Sequence, residues 1–178
     1  MSTEELVIAI IRIAGSLLVF RWAFAGAVVA ILVDLSDLFL RSYLQLGGIS
    51  DYQSFDKWLD QVYLLAFLLV ALRWRGTPRN VAIALYVYRL VGFALFELTG
   101  SRAVLLAFPN VFEFWFLFVA AQRHWWPEFN YTRYNTAVVL GLLTVLKLLQ
   151  EFVLHVARWL DSFNARDLVE WVVRLVRW

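Results

Sequence analysis

The sequence predicts an all-α protein, an integral membrane bundle of about six transmembrane helices followed by a C-terminal amphipathic helix at the interface. Three observations carry this. Hydrophobic residues make up 62% of the chain and charged residues 17%, whereas a soluble domain is nearer ~45–50% apolar. Apolar stretches of roughly span length recur along the chain, separated by short loops. Nine tryptophans fall largely where those stretches end, as amphipathic rings do at a membrane–water boundary. The organisation read from this is a transmembrane domain over 1–160 and an amphipathic helix over 161–178.

The first apolar stretch, from Leu6 to Leu40, would be about 50 Å long as one helix and overshoots a ~30 Å hydrocarbon core. It splits best at Phe20-Arg21-Trp22, a charged and aromatic step typical of an interface. That gives spans near 6–20 and 23–42. The N-terminus MSTEELVIAI has two glutamates, no basic residue and no small-residue cleavage site, so the first span is expected to stay as an anchor. Gly47 and Gly48 in LGGISDYQS mark a turn, and a third span runs from about Gln53 to Leu72. Arg73, Arg75 and Arg79 surround the breakers Gly76 and Pro78 before a fourth span at about 80–98. A fifth, 103–121, holds Pro109 as an expected kink. After the loop QRHWWPEFNYTRYN, a sixth covers 136–155.

Residues 164–178 differ in kind. Arg166, Glu170, Arg174 and Arg177 form one stripe at helical spacing, with Leu168, Trp171, Val172, Leu175 and Val176 opposite. Too short to span, this helix is expected to lie in the interface or pack on a protein surface. Arg21, Arg73, Arg75, Arg79, Arg123 and Arg133 fall in loops on one side of the bundle, against Arg41, Lys57 and Arg102 on the other. The basic tail nearly cancels that bias, so orientation stays open.

Composition also excludes functions. There is no cysteine, hence no disulfide framework, thiolate metal site or cysteine nucleophile. A net charge of +2, with basic residues scattered among loops, gives nucleic-acid binding no support.

Four aspartates carry the chemistry. Asp34 and Asp37 lie three residues apart and Asp56 and Asp60 four apart, so each pair shares a helix face. Carboxylates this close repel, and in lipid they are costly without a counter-charge. A divalent cation, Mg²⁺ or Mn²⁺, is one remedy because both prefer oxygen ligands. The basic side chains near in sequence are Arg41 and Lys57. The plainer reading is a pair of solvated helix ends flanking a loop. Further along, Arg89 and Glu113 in adjacent spans are read as a structural ion pair, with Lys147 and Glu151 as further intramembrane charges.

The segments DLSDLFLRS and YQSFDKWLD, joined by a short polar loop, resemble the signature of the CDP-alcohol phosphatidyltransferase family, D-x-x-D-G-x-x-A-R followed after a short gap by G-x-x-x-D-x-x-x-D. The resemblance implies a six-helix membrane fold. It also implies metal ligands at Asp34, Asp37 and Asp56, a base at Asp60 that activates an acceptor alcohol, a CDP-linked lipid substrate and release of CMP. The motif's small residues and arginine are replaced by Leu38, Arg41, Ser42 and Tyr52. Leu and Tyr side chains obstruct the close backbone approach that a nucleotide needs. Arg41, the nearest substitute for the motif arginine in substrate binding, lies one position early, about 100° round the helix.

Three classes of function follow. The first is a metal-dependent phosphatidyl or phospho-alcohol transferase, monomeric or homodimeric. The second is a catalytically lapsed protein of that architecture, serving as a subunit of a larger membrane complex. The third is a small ion transporter or channel. Membrane lipids are expected partners in all three.

Overall fold

In the computed structural model residues 3–44, 52–101, 104 and 107–152 are described, with side chains at 6–34, 58–101, 104, 107–150 and 152. Among the described residues the protein is all-helical. The helices bounded among these residues are α1 (Thr3–Leu17), α2 (Ala23–Leu44), α3 (Tyr52–Ala71), α4 (Thr77–Thr99), α5 (Val111–Trp125) and α6 (Arg133–Glu151), with a 3-10 turn at Leu18–Phe20. The expected amphipathic helix over 161–178 lies outside the described residues.

The first boundary falls where the Arg21-Trp22 step predicts. The 3-10 turn ends at Phe20, Arg21 N–H returns to the Leu18 carbonyl at 3.1 Å, and α2 begins at Ala23. Gly26 makes the reversal this tight, because a Cβ there would lie 2.4 Å from Val19 N and 2.6 Å from the Leu18 carbonyl oxygen. No other residue lets the first turn of α2 press on the backbone of the preceding turn.

Two glycines bound α4. Gly76 precedes it with a φ of 69°, and Pro78 occupies its first turn, where a missing N–H costs nothing. Gly100 ends it in the left-handed region, φ 67°, its N–H bonded to the Phe96 carbonyl. Helix α5 starts at Val111, after Pro109, so the proline precedes this helix and does not kink it. Pro109 offers no N–H to a helix and instead accepts the Val111 N–H at 2.8 Å.

Helix α1 packs on α2 and α3, α3 on α4, α4 on α5, and α5 on α2, α3 and α6. The core between them is aromatic. Phe67 stacks on Phe116 with ring centroids 4.5 Å apart, Trp74 stacks on the same ring at 5.1 Å, and Trp115 is fully buried, its indole N–H donated to the Pro78 carbonyl at 3.1 Å. Gly92 lets Phe108 lie against α4, since a Cβ there would meet the Phe108 Cβ at 2.3 Å.

One helix among the described residues, α4, is long and apolar enough to cross a membrane, at about 35 Å. The apolar runs Leu6–Phe20, Ala23–Asp34 and Trp58–Ala71 are shorter. Several large aliphatic side chains nonetheless lie on the surface and several charged ones inside. Ile10, Leu17, Val87, Val91, Leu142, Val145 and Leu149 are exposed, while Arg12, Asp60, Arg89, Glu113 and Lys147 are buried.

Candidate functional site

Two polar centres are buried between these helices. The first is built on α1. Ile8, Arg12, Ser16 and Val19 recur at three- and four-residue spacing along one buried face. Gly15, beside Ser16, brings α2 close, since a Cβ there would lie 3.3 Å from Val33 Cγ2. Arg12 therefore faces Asp34, which follows Val33. Its Nη2 donates to Asp34 Oδ1 and, at 2.7 Å, to Asp60 Oδ1 on α3. Arg12 is 5% exposed and Asp60 8%, so this is a buried charge cluster that ties three helices at one atom.

Asp34 and Asp60 are thus brought together, and the cation between them is a guanidinium supplied from α1. Sequence spacing pointed to Arg41 and Lys57 and missed Arg12. The available signal was a lone arginine in the middle of an apolar stretch, one turn from Ile8 and Ser16, which apolar surroundings would force to find an acid. Asp37 and Arg41 fall on α2 and Asp56 on α3, and their side chains lie outside the described residues. Among the described residues no group of three His, Cys, Asp or Glu side chains gathers in a way that would hold a metal. Two carboxylate oxygens from different helices converging on one point is the arrangement a cation asks for, and Arg12 Nη2 holds that point.

The second centre is Glu113, 4% exposed, in the first turn of α5. There the helix dipole favours negative charge. Glu113 Oε2 accepts hydrogen bonds from the Tyr63 hydroxyl at 3.1 Å and from Asn110 Nδ2 at 3.0 Å, with Lys147 Nζ of α6 at 3.9 Å. Lys147 also donates to Gln150 Oε1 at 2.8 Å and lies 5.4 Å from the centre of the Phe114 ring. Arg89 donates to the Phe108 carbonyl at 2.8 Å. The cation facing Glu113 is therefore Lys147, while Arg89 secures the approach to α5. Tyr63 lies one turn beyond Asp60 on α3, so that helix joins the two centres.

Outside the helices, Tyr131 packs edge-on to Trp115 and donates to Gln122 Oε1 at 2.7 Å. Burial pushes its phenol up to about 12, against a smaller opposing effect of the nearby Arg123 charge. In comparisons with known proteins, the chain matches no family model, no curated protein and no solved structure.

Chemically, Asp60 Oδ1 is engaged by the guanidinium, which leaves the second carboxylate oxygen as the one that could take a proton from an alcohol. A paired, buried carboxylate suits holding helices together better than general base catalysis, which needs a free oxygen within hydrogen-bond reach of substrate.

Proposed function

We propose that this chain is a multi-pass integral membrane protein of about six spans, completed by an interfacial amphipathic helix over 161–178. Within it the aspartates serve as an ion-pair clamp, and the protein acts as a non-catalytic structural subunit of a membrane complex. The observation that carries this reading is Arg12 donating to both Asp34 and Asp60 inside a shell whose outer face is apolar. Charges inside and aliphatic side chains outside is the order lipid demands. The shorter apolar helices fit this reading if the bundle tilts or thins the bilayer around them, as spans of unequal length do.

The deciding experiment is release of CMP from CDP-diacylglycerol by the purified protein in lipid, with Mg²⁺ or Mn²⁺ and a panel of acceptor alcohols. The clamp reading expects no release from well-folded protein, and recovery of the protein from the membrane with a stoichiometric partner.

A second reading, a metal-dependent phosphatidyltransferase, is favoured by the convergence of Asp34 and Asp60 from α2 and α3. In that case Asp34, Asp37 and Asp56 would hold the divalent ion, which would neutralise phosphate charge, and Asp60 would be the base. Metal-dependent CMP release abolished by Asp60→Asn would establish it and overturn the clamp.

A further inference from the structure

A groove of about 300 Å³ opens between the first turns of α4 and α6, lined by Thr77, Tyr131, Arg133, Thr136, Ala137 and Leu140. It lies beyond the C-terminal end of α3, about three turns from Asp60, because α4 follows α3 across the short turn 72–76. It therefore has no part in the aspartate cluster.

Two helix N-termini meet there. In α4 the first helical hydrogen bond runs from Asn80 N–H to the Gly76 carbonyl at 3.2 Å, and Gly76 has no side chain with which to cap. The amides of Thr77 and Arg79 are thus without intrahelical partners, and Pro78 has no amide hydrogen. In α6 the Thr132 hydroxyl accepts from Asn135 N–H at 3.1 Å, which leaves the amides of Arg133 and Tyr134 outside the helical pattern. Of these residues Thr77 and Arg133 line the groove, so each helix end brings partial positive charge to it.

A separate observation points to a ligand. Thr136 is 8% exposed, and its Oγ1, buried beside the groove, has no hydrogen-bond partner among the described residues. A hydroxyl withdrawn from water without a partner is unfavourable, and an acceptor oxygen placed in the groove would complete it. Arg133, exposed on the same rim, forms no ion pair among the described residues.

We propose that this groove binds a phosphate group, with Arg133 as its charge partner, the α4 and α6 amides as donors and the Thr136 hydroxyl completing the shell. A phosphate dianion or diester matches every element of it. Arginine forks onto phosphate oxygens, helix N-termini receive anions, and a threonine hydroxyl donates. The group arrives either on a phospholipid, at the arginine-rich end of the bundle, or as free phosphate. Only the lipid source rests on the membrane reading.

The test uses the full-length protein in a neutral detergent. Native mass spectrometry compares retention of phosphatidic acid with that of diacylglycerol, the same lipid without its phosphate, and calorimetry titrates inorganic phosphate. Arg133→Gln and Thr136→Val are each expected to weaken binding about tenfold, the scale of one charge-assisted hydrogen bond. Arg21→Gln, an exposed arginine on the same side, is expected to leave binding unchanged. Thr136→Val removes only an unpartnered hydroxyl and is expected to fold at least as well as the parent. Retention of phosphatidic acid alone, with that variant pattern, identifies a lipid headgroup. Saturable phosphate binding with the same pattern and no lipid preference identifies the free anion. Binding of neither probe, or an Arg21→Gln loss as large as that of Arg133→Gln, overturns the proposal.

Discussion

Arg12 and Asp60 meet at 2.7 Å across α1 and α3, 48 residues apart in the chain, and the same Nη2 atom also serves Asp34. One nitrogen thereby fixes the relative position of three helices. Its removal leaves the buried Asp60 and the half-buried Asp34 carboxylates without that partner, which is more damaging than loss of the attraction itself.

Arg12→Met is accordingly expected to destabilise the protein by about 3–5 kcal/mol, measured by unfolding in mixed detergent micelles. Adding Asp34→Asn and Asp60→Asn to Arg12→Met is expected to recover a large part of that loss, because the uncompensated charges go with it. If the triple variant is no more stable than Arg12→Met, the cluster is not a clamp.

At the second centre the coupling is between Glu113 and Lys147. Glu113→Gln and Lys147→Met are each expected to destabilise the bundle, and the double variant by less than their sum, by roughly 0.5–3 kcal/mol in a double-mutant cycle. Tyr63→Phe deletes one hydrogen bond to Glu113 and is expected to cost about 1.5–3 kcal/mol, since the acceptor is charged. Strict additivity of the Glu113 and Lys147 variants would show that their 3.9 Å approach carries no energy.

Gly26→Ala tests the α1–α2 reversal. The new methyl would sit 2.4 Å from Val19 N and 2.5 Å from the Leu18 carbonyl carbon, and backbone cannot rotate aside as a side chain can. We expect a loss of about 1–3 kcal/mol, against a near-neutral Gly141→Ala, where nothing lies within 4 Å.

Tyr131 gives the fold an alkaline limit. Its phenol, ordinarily at 10.0, is pushed up to about 12 by burial, so the folded state prefers the neutral form. That contribution is complete below pH 10 and is lost as pH rises toward 12. The thermal midpoint of the native protein should fall over this window more steeply than that of Tyr131→Phe. Parallel curves would refute the assignment.

The number of membrane crossings can be read directly, because the chain has no cysteine and every introduced thiol is the only one. Single cysteines at Arg75 and Asn130 should react with a membrane-impermeant maleimide from one side of sealed vesicles, and a cysteine at Ser101 from the other. Labelling of all three from the same side would exclude the alternating arrangement.

Local features of the fold were legible in sequence and distant pairings were not. The Arg21-Trp22 step marked the first boundary, and Gly76, Pro78 and Gly100 bracketed α4, because capping and breaking act within a turn. Gly26 escaped notice since its constraint comes from the backbone of the preceding turn, not from a turn of its own. Pro109 read as a kink because periodicity alone does not separate a proline inside a helix from one just ahead of it. Asp34 and Asp60 stood out as misplaced charges, but their partner lies 22 and 48 residues away, beyond any spacing rule. Glu113 was likewise visible as a buried acid, while its neighbours Tyr63, Asn110 and Lys147 come from three separate elements.

The order in which the chain is made gives the Arg12 contact another meaning. In the membrane reading proposed above, Arg12 emerges before Asp34, which follows 22 residues later, so α1 entering lipid alone would carry its guanidinium without that partner. In that reading α1 and α2, joined by the tight reversal at Gly26, suit delivery as one hairpin with Arg12 already paired to Asp34. Arrival of α3 with Asp60 then locks the hairpin into the bundle, and the same arginine that burdens early insertion signals that assembly is complete.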